Sequence, residues 1–190
     1  MENFPVIPKG RIVDLTHILH PGREQYTLEV SRLKERESRE GDIMSAVYMW
    51  SHIGTHVEAP LHFLSYGGDV ASIPLESLIG PAIVLDFRRK KVNEPITLIE
   101  LKSSGEIQRG DRVLIMTGRD RQYRTPRSHD RPYLEVEAVK WLVKDRKIKC
   151  LGTDSSGFEV RGVEGYPNHR LLCGSKIPII ECLANLVKLK

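Results

Sequence analysis

Residues 50–63 read WSHIGTHVEAPLHF and bring four potential metal ligands together: His52, His56, Glu58 and His62. Imidazole and carboxylate groups are the usual ligands of zinc and of its neighbours in the first transition row. A lone histidine is more often a surface or core residue than a ligand, which is the alternative for each of these side chains. Three histidines and a carboxylate in so short a stretch favour a metal site.

The backbone of this segment is predicted to be neither a regular helix nor a straight strand. Gly54 and Pro60 both oppose a continuous helix. Four fully extended residues would place the Cα atoms of His52 and His56 roughly 13 Å apart, which is awkward for two imidazoles that share one ion at about 2.1 Å each. The spacing therefore predicts a bend near Gly54, where glycine permits unusual dihedral angles. Pro60 is expected to stiffen the segment that presents His62.

Length and composition indicate a single globular domain over residues 1–190. Apolar residues make up 40% of the chain and charged residues 28%, and a net charge of +4 does not by itself indicate a nucleic-acid partner. Three cysteines argue against a disulfide framework and fit a reducing compartment. Residues 1–14 lack the apolar run of a signal peptide, and no stretch approaches about 18 consecutive apolar residues. We therefore expect a cytoplasmic protein without a membrane span.

Short apolar runs and period-two alternation predict several strands. AIVLDF at residues 82–87 is a continuous apolar run, typical of a strand that is buried on both faces. The alternation from Tyr26 to Val30 is typical of a half-buried strand. Further strands are predicted at residues 11–16, 43–50, 113–117 and 149–153.

Two helices have their own sequence signals. Thr97 and Glu100 form a T-x-x-E capping box, which predicts a short helix that Gly105 would end. Residues 134–145 place apolar side chains at helical spacing, as in an amphipathic helix. The whole pattern predicts a mixed α/β fold with more strand than helix.

The histidine segment and four other stretches resemble one known family. HIGTHVEAPLH (52–62) resembles the H-x-G-T-H-x-D-x-P-x-H signature of the cyclase-like metal-dependent hydrolases, which include bacterial kynurenine formamidase and isatin hydrolase. The other stretches follow in the family's order: IVDLTHILHPG (12–22), PYLEVEAVKWLV (132–143), LGTDSSG (151–157) and NHRLLCGSKIPIIECLANL (168–186). The resemblance implies a swivelling β/β/α single domain with a mixed sheet.

The resemblance also implies a ligand set for one or two divalent ions, zinc first and manganese second. A first ion would be held by His52, His56 and Glu58, and a second by Glu58, His169 and Glu181, with Glu58 bridging. His62 matches the family's general acid/base. Alternatively, His62 is a third metal ligand or a residue that hydrogen-bonds to the ligands and orients them.

Two positions depart from the family pattern. Glu58 stands where the family has aspartate, so its carboxylate reaches one methylene further. The kynurenine formamidases carry a tryptophan near the first turn that lines the substrate pocket, whereas this chain reads HPGREQYTL, and Tyr26 is the nearest aromatic residue. Tyr26 is therefore the candidate substrate-binding residue. The family further implies a homodimer or homotetramer whose pockets borrow residues from a neighbouring subunit.

The expected activity is metal-dependent hydrolysis of an amide bond in the manner of an arylformamidase, with a small-molecule substrate. N-formylkynurenine or a related formamide would be attacked by a metal-activated hydroxide, because a bound divalent ion lowers the pKa of water to about 7. The alternative within the family is hydrolysis of a cyclic amide or lactone. A non-catalytic metal-binding module is the alternative from a different class, although structural zinc sites are mostly rich in cysteine.

Other features of the sequence receive no catalytic role. The basic loop at residues 119–131 could bind RNA, but its interspersed acidic residues weaken the patch, and we expect no nucleic-acid partner. Ser155 and Ser156 lack a G-x-S-x-G elbow and are interpreted as loop or pocket residues. Asp14 and Asp154 are expected to cap turns. The other histidines are expected to be solvated: His17, His20 and His129. The cysteines are expected to be buried and inert: Cys150, Cys173 and Cys182.

Overall fold

The computed structural model describes residues 10–33 and 42–190. Residues 1–9, the start of the stretch in which a signal peptide was not expected, lie outside the described residues. The strands are β1 (Leu28–Arg32), β2 (Ser45–Met49), β3 (His56–Glu58), β4 (Ala82–Asp86), β5 (Pro95–Ile96), β6 (Arg112–Met116), β7 (Tyr133–Leu134), β8 (Cys150–Thr153) and β9 (Ile179–Glu181). The α-helices are α1 (Leu75–Leu78), α2 (Leu98–Ser103), α3 (Val136–Lys144) and α4 (Pro167–Gly174).

A mixed five-stranded sheet in the order β3-β9-β8-β6-β4 forms the centre of the fold. β4, β6, β8 and β9 run parallel, and β3 joins β9 in the antiparallel direction. All five residues of β6 are buried because the strand has neighbours on both sides and packed layers on both faces. The expected mixed α/β fold with a mixed sheet is confirmed.

The strand predicted at residues 82–87 is present, but the prediction that both of its faces are buried is only partly confirmed. Leu85 and Phe87 are buried, whereas Ala82 is exposed. β4 lies at the edge of the sheet and pairs only with β6, so its start is open to solvent.

The predicted helices pack as amphipathic elements on this sheet. α3 buries Ala138, Val139 and Leu142 in the main apolar core. The capping box at the start of α2 is confirmed, since Thr97 accepts from the backbone N–H of Glu100 and the Glu100 carboxylate accepts from that of Thr97. α2 ends at Ser103, just before the predicted Gly105.

The prediction of a strand at residues 11–16 is wrong. Asp14 accepts hydrogen bonds from the N–H and the hydroxyl of Thr16, which curls the chain as a polar turn. A backbone hydrogen bond of 2.8 Å from Ala184 to Leu15 fixes the segment against the C-terminal region, but no ladder forms. The turn that Asp14 was expected to cap is present.

β1 and β2, the strands predicted from the alternation at residues 26–30 and from the run at 43–50, pair in a separate two-stranded antiparallel hairpin. The half-burial predicted for the first strand is wrong, since Leu28 alone is buried in β1. This hairpin exposes an unusual number of large apolar side chains: Val30, Val47, Tyr48, Met49 and, directly after β2, Trp50. None of the helices in the described part of the chain combines the length and the apolar character that a membrane span requires.

Candidate metal centre

The bend predicted within the histidine segment lies at Gly54. Its φ angle is +61°, and a Cβ atom at this position would lie 2.5 Å from Cδ2 of Leu19. Glycine alone satisfies both the left-handed backbone and the close approach. The bend brings Nδ1 of His52 to 2.9 Å from Nε2 of His56, although four residues separate them.

The pairing of β3 with β9 adds two carboxylates to the histidines. His56 and Glu58 lie two residues apart on β3 and therefore point to the same face of the sheet. His56 is directly opposite Glu181 in the antiparallel register. Nε2 of His56 is 3.7 Å from Oε1 of Glu58 and 3.8 Å from Oε2 of Glu181.

Helix α4 brings His169 to this group from a distant part of the chain. The helix follows Tyr166, whose φ of +45° turns the chain, and Pro167 occupies the first turn, where proline is favourable. Nε2 of His169 lies 3.3 Å from Oε1 of Glu181 and 3.5 Å from Oε2 of Glu58. The early histidine segment and the C-terminal region thus converge in space.

Two overlapping groups of side chains have the geometry to hold a metal ion. Each group has its potential ligand atoms within 4.8 Å of one another, and Glu58 belongs to both: His52, His56 and Glu58 in one, and Glu58, His169 and Glu181 in the other. Oε2 of Glu58 is buried and has no hydrogen-bond donor among the described residues. A buried carboxylate oxygen without a donor is unfavourable unless a cation satisfies it. The residues present therefore fit a divalent ion.

The electrostatics of the cluster also favour a bound cation. Burial disfavours the charged form of Glu58, yet the neighbouring imidazoles of His56 and His169 lower the pKa of this carboxyl below its usual value. Burial also opposes charge on His169, but the carboxylates of Glu159 and Glu181 raise the pKa of His169 to about 10. The Glu58 carboxyl is thus held ionised, and the cluster attracts positive charge, the role that a metal ion fills.

His62 lies at the rim of the cluster. Its Nε2 is 3.7 Å from Oε1 of Glu58, and its Nδ1 is 3.3 Å from Nε2 of His52. The side chain of His62 is 36% exposed, whereas that of Glu58 is 3% exposed. His62 can therefore reach both the ligands and a molecule in the adjoining cavity, and both roles considered for it fit this position.

Glu159 is a site residue that the sequence reasoning missed. It is 2% exposed, its carboxylate forms an ion pair with Nδ1 of His169, and it accepts the backbone N–H of His169 at 2.9 Å. Such contacts fix the tautomer and the ring orientation of a metal-binding histidine. Glu159 lies two residues after the quoted segment LGTDSSG, and nothing in its own spacing distinguishes it.

Two cavities adjoin the cluster. The larger, of about 510 Å³, is open and is lined by Tyr26, His62, Phe63, Arg131 and Tyr166 among others. Tyr26, the candidate substrate-binding residue, stacks on Trp50 with ring centroids 5.6 Å apart. The aromatic walls suit a flat, apolar portion of a ligand.

The smaller cavity, of about 110 Å³, lies on the other side of His52 and Glu181. Ser155 and Ser156 line it, as expected of pocket residues. His17 and His129 also line it, so they are not simply solvated as expected: His17 stacks on Tyr123 at 4.2 Å, and His129 contacts Ser156 at 3.1 Å. Asp154 lines the same cavity and accepts three hydrogen bonds from Thr117 and Gly118.

The cysteines and the arginines of the basic loop lie in environments that account for them without a catalytic or nucleic-acid-binding role. All three cysteines are buried, and burial raises the pKa of the Cys173 thiol to about 11, so it is uncharged near neutral pH. In the basic loop, Arg124 lies 3.5 Å from Glu24, and Arg127 donates to Asp130 at 3.1 Å. Arg131 turns inward and is buried.

Comparison with known proteins agrees with this arrangement. A family profile described as a putative cyclase matches residues 13–160. The kynurenine formamidase of Erythrobacter litoralis is 30% identical over 177 residues, covering 91% of this chain and 79% of that protein. Isatin hydrolase A from Labrenzia aggregata superposes with a TM-score of 0.76 at 27% identity, over 94% of this chain and 82% of its own. A structure described as a potential metal-dependent hydrolase with cyclase activity gives a TM-score of 0.72 at 30% identity, over 90% and 80%.

The profile match extends over most of the chain and includes β3, which carries His56 and Glu58, and the kynurenine formamidase alignment covers 91% of the chain. This chain belongs to the cyclase family of metal-dependent hydrolases.

Proposed function

We propose that this protein is a metal-dependent amidohydrolase that cleaves the C–N bond of an aryl formamide, as in the conversion of N-formylkynurenine and water to kynurenine and formate. The observation that carries the proposal is the convergence of two histidine–carboxylate groups on the shared Glu58, beside an aromatic cavity. Relatives named kynurenine formamidase support the choice of a formamide.

The proposed cofactor is one or two divalent ions, zinc first and manganese second. His52, His56 and Glu58 would hold the first ion, and Glu58, His169 and Glu181 the second. A bound ion of this kind supplies an activated water for attack on the carbonyl carbon and polarises the carbonyl oxygen. A ligand set of histidine and carboxylate, rather than cysteine, supports a catalytic rather than a structural site.

The chain's own residues have distinct tasks in this proposal. His62 passes a proton to the leaving nitrogen, because it lies at the rim between the ligand groups and the cavity, and an imidazole can both donate and accept a proton. Glu159 positions His169 through its two contacts. Phe63, Tyr166 and Tyr26 form the apolar walls that orient an aryl group and exclude water.

A second candidate function is hydrolysis of a cyclic amide or lactone. The likeness to isatin hydrolase A favours it, since that structure covers 94% of this chain at 27% identity. The same metal ligands and the same walls would serve both reactions, so the choice between them rests on substrate trials.

We also propose a cytoplasmic homodimer or homotetramer. The exposed apolar side chains of the β1–β2 hairpin, among them Val47 and Tyr48, support association with a second copy because such patches are rare on monomers. Light scattering of the purified protein, compared with the variant Tyr48→Asp, tests this point. A monomeric wild-type protein would refute it.

The experiment that tests the proposed function is metal removal followed by restoration. The protein is stripped with a chelator, loaded with zinc, manganese or cobalt, and assayed with N-formylkynurenine, isatin and simple lactones. Formamide hydrolysis that disappears on stripping and returns on loading is the expected result. Turnover of isatin or a lactone without formamide turnover selects the second function, and retained metal with no turnover of any acyl substrate refutes both.

A further inference from the structure

Arg131 is a buried cation at the edge of the metal centre that belongs to neither ligand group. It is 8% exposed, and its Nη1 donates to the hydroxyl of Ser156 at 3.0 Å and to the carbonyl of His129 at 3.4 Å. Over residues 10–33 and 42–190, no carboxylate oxygen lies within 4.0 Å of its guanidinium nitrogens. A buried charge without a close counter-charge is costly, so this arginine calls for an anionic partner.

The guanidinium also retains donors that the described protein atoms do not use. Both of its hydrogen bonds come from Nη1, and Nε is buried without a partner. Burial lowers the pKa of Arg131, an effect that the more distant charges of Glu181 and Glu159 oppose. Arginine presents its N–H groups as a planar fork, whose geometry matches two oxygens of a carboxylate.

The backbone of Gly157 closely approaches the Nη2 side of Arg131. A Cβ atom on Gly157 would lie 3.1 Å from Nη2 of Arg131 and 3.2 Å from Oε1 of Glu181. Its φ of +125° also favours glycine at this position. A side chain at this position would therefore crowd both the guanidinium and a proposed metal ligand, and glycine avoids this.

The large cavity has an excess of positively charged side chains if the two carboxylates of the proposed ligand groups are set aside. Arg131 and the exposed Arg161 both line it. The acidic residues that line it are Glu58 and Glu181, and both are already committed to the proposed ligand groups. With a divalent ion bound, the arginines therefore face the cavity without a protein counter-charge.

We propose that Arg131 anchors a carboxylate group of the substrate, so that the preferred substrates are aryl amides that bear an acid group. This inference rests on the proposed amidohydrolase function, because that function identifies the amide as the bond that is cleaved. The carboxylate lies at Arg131, the aryl ring packs against the wall that Phe63 and Tyr166 form together, and the amide reaches the ligand groups.

The test begins with binding, which does not depend on turnover. Anthranilate and the matched neutral amine aniline are titrated by calorimetry into the zinc-loaded wild type and into Arg131→Met. The substitution should weaken anthranilate binding about tenfold or more, because a charge-assisted bidentate contact is lost. It should leave aniline binding within about twofold, and Arg131→Lys should give an intermediate loss, since it keeps the charge but not the fork.

Arg146→Met is the matched control. Arg146 also has a buried Nε without a partner, but its guanidinium stacks 5.1 Å from the Trp141 ring centroid and lines neither cavity of the site. Metal content and thermal midpoint are measured for every variant. Anthranilate that binds directly to zinc would bind Arg131→Met and wild type equally, and this result overturns the proposal, as does an equal loss in Arg146→Met.

Turnover then separates this inference from the proposed function. N-formylanthranilate and formanilide differ only in the carboxylate. Arg131→Met should raise KM for N-formylanthranilate at least about tenfold and change the kinetics of formanilide little. An equal loss on both amides refutes the carboxylate anchor but retains the hydrolase. No hydrolysis of either amide by any metal form refutes the amidohydrolase, while the calorimetry still decides whether Arg131 binds the anion.

Discussion

Replacing Glu159 with glutamine should weaken the binding of one divalent ion and leave the other in place. Glu159 holds His169 at two points, through an ion pair with Nδ1 and through a hydrogen bond of 2.9 Å from the backbone N–H. These contacts direct Nε2 of His169 towards Glu181 and Glu58, at 3.3 and 3.5 Å. The substitution therefore acts on the second ligand group through a residue that does not itself belong to it.

The size of the effect follows from what glutamine keeps and what it loses. Its volume matches glutamate, and its amide oxygen can still accept the backbone N–H of His169. It loses the negative charge that increases the basicity of the imidazole and fixes its tautomer. Loss of such a partner weakens metal binding 10- to 100-fold, which is about 1.4 to 2.7 kcal/mol. The group of His52, His56 and Glu58 should change by no more than about twofold.

The assay is a zinc titration in competition with a chromophoric chelator, with metal content measured by mass spectrometry. Wild type should show two affinities, and Glu159→Gln should lower only the one that belongs to the group of Glu58, His169 and Glu181. Glu164→Gln, an exposed acid a few residues along the chain, is the control and should change neither affinity. Unchanged affinities in Glu159→Gln, or the simultaneous loss of both ions, would refute the assignment of two separable ligand groups.

Three further predictions concern catalysis, folding and thiol reactivity. His62→Ala should lower kcat by about 10²–10⁴ with full metal content, because it removes a proton donor and not a ligand; if the metal is lost as well, His62 is a ligand instead. Gly54→Ala should lower the free energy of unfolding in urea by about 1–3 kcal/mol through its left-handed backbone and the collision with Leu19. Gly22 has a φ of +73°, but a Cβ atom there would have no neighbour within 4 Å, so Gly22→Ala should lower the free energy of unfolding by less. Equal decreases in the two variants would mean that the collision with Leu19 contributes nothing. Cys173 should resist iodoacetamide at pH 8 in the native protein, since its pKa of about 11 keeps it protonated until the pH approaches that value, whereas in urea its pKa of about 8.5 permits rapid labelling. Mass spectrometry checks this, and native labelling at pH 8 as fast as in urea would contradict the buried environment.

Local signals in the sequence were reliable where a few neighbouring residues determine the conformation. The capping box at Thr97 and Glu100 depends on contacts within one turn of chain, and the bend at Gly54 depends on the backbone freedom of glycine; both occur as predicted. The run at residues 113–117 is fully buried, as its continuous apolar stretch at residues 113–116 indicates, and Thr117 is buried with it. The ligand candidates His169 and Glu181 came from the family resemblance, because no local spacing connects them with His52.

Features that depend on tertiary neighbours could not be read from the sequence. Residues 11–16 have the composition of a strand, but Asp14 bonds to Thr16 and no partner strand is available. Glu159 and Arg131 look like ordinary surface charges in the sequence, and only the fold buries them beside His169 and Ser156. Charged residues are rarely buried without a partner, so their burial marks them as part of the site.

The antiparallel direction of β3 explains why the histidine segment can meet the C-terminal ligands at all. In parallel sheets the sites lie beyond the carboxyl ends of the strands, and here Asp154 after β8 bonds to Thr117 after β6 at that edge. Because β3 runs against β9, the amino end of β3 lies at the same edge, with His56 opposite Glu181. A parallel β3 would place its amino end, and the bend that presents His52, at the far edge of the sheet. The reversed edge strand is thus the topological requirement for a site that combines both ends of the chain.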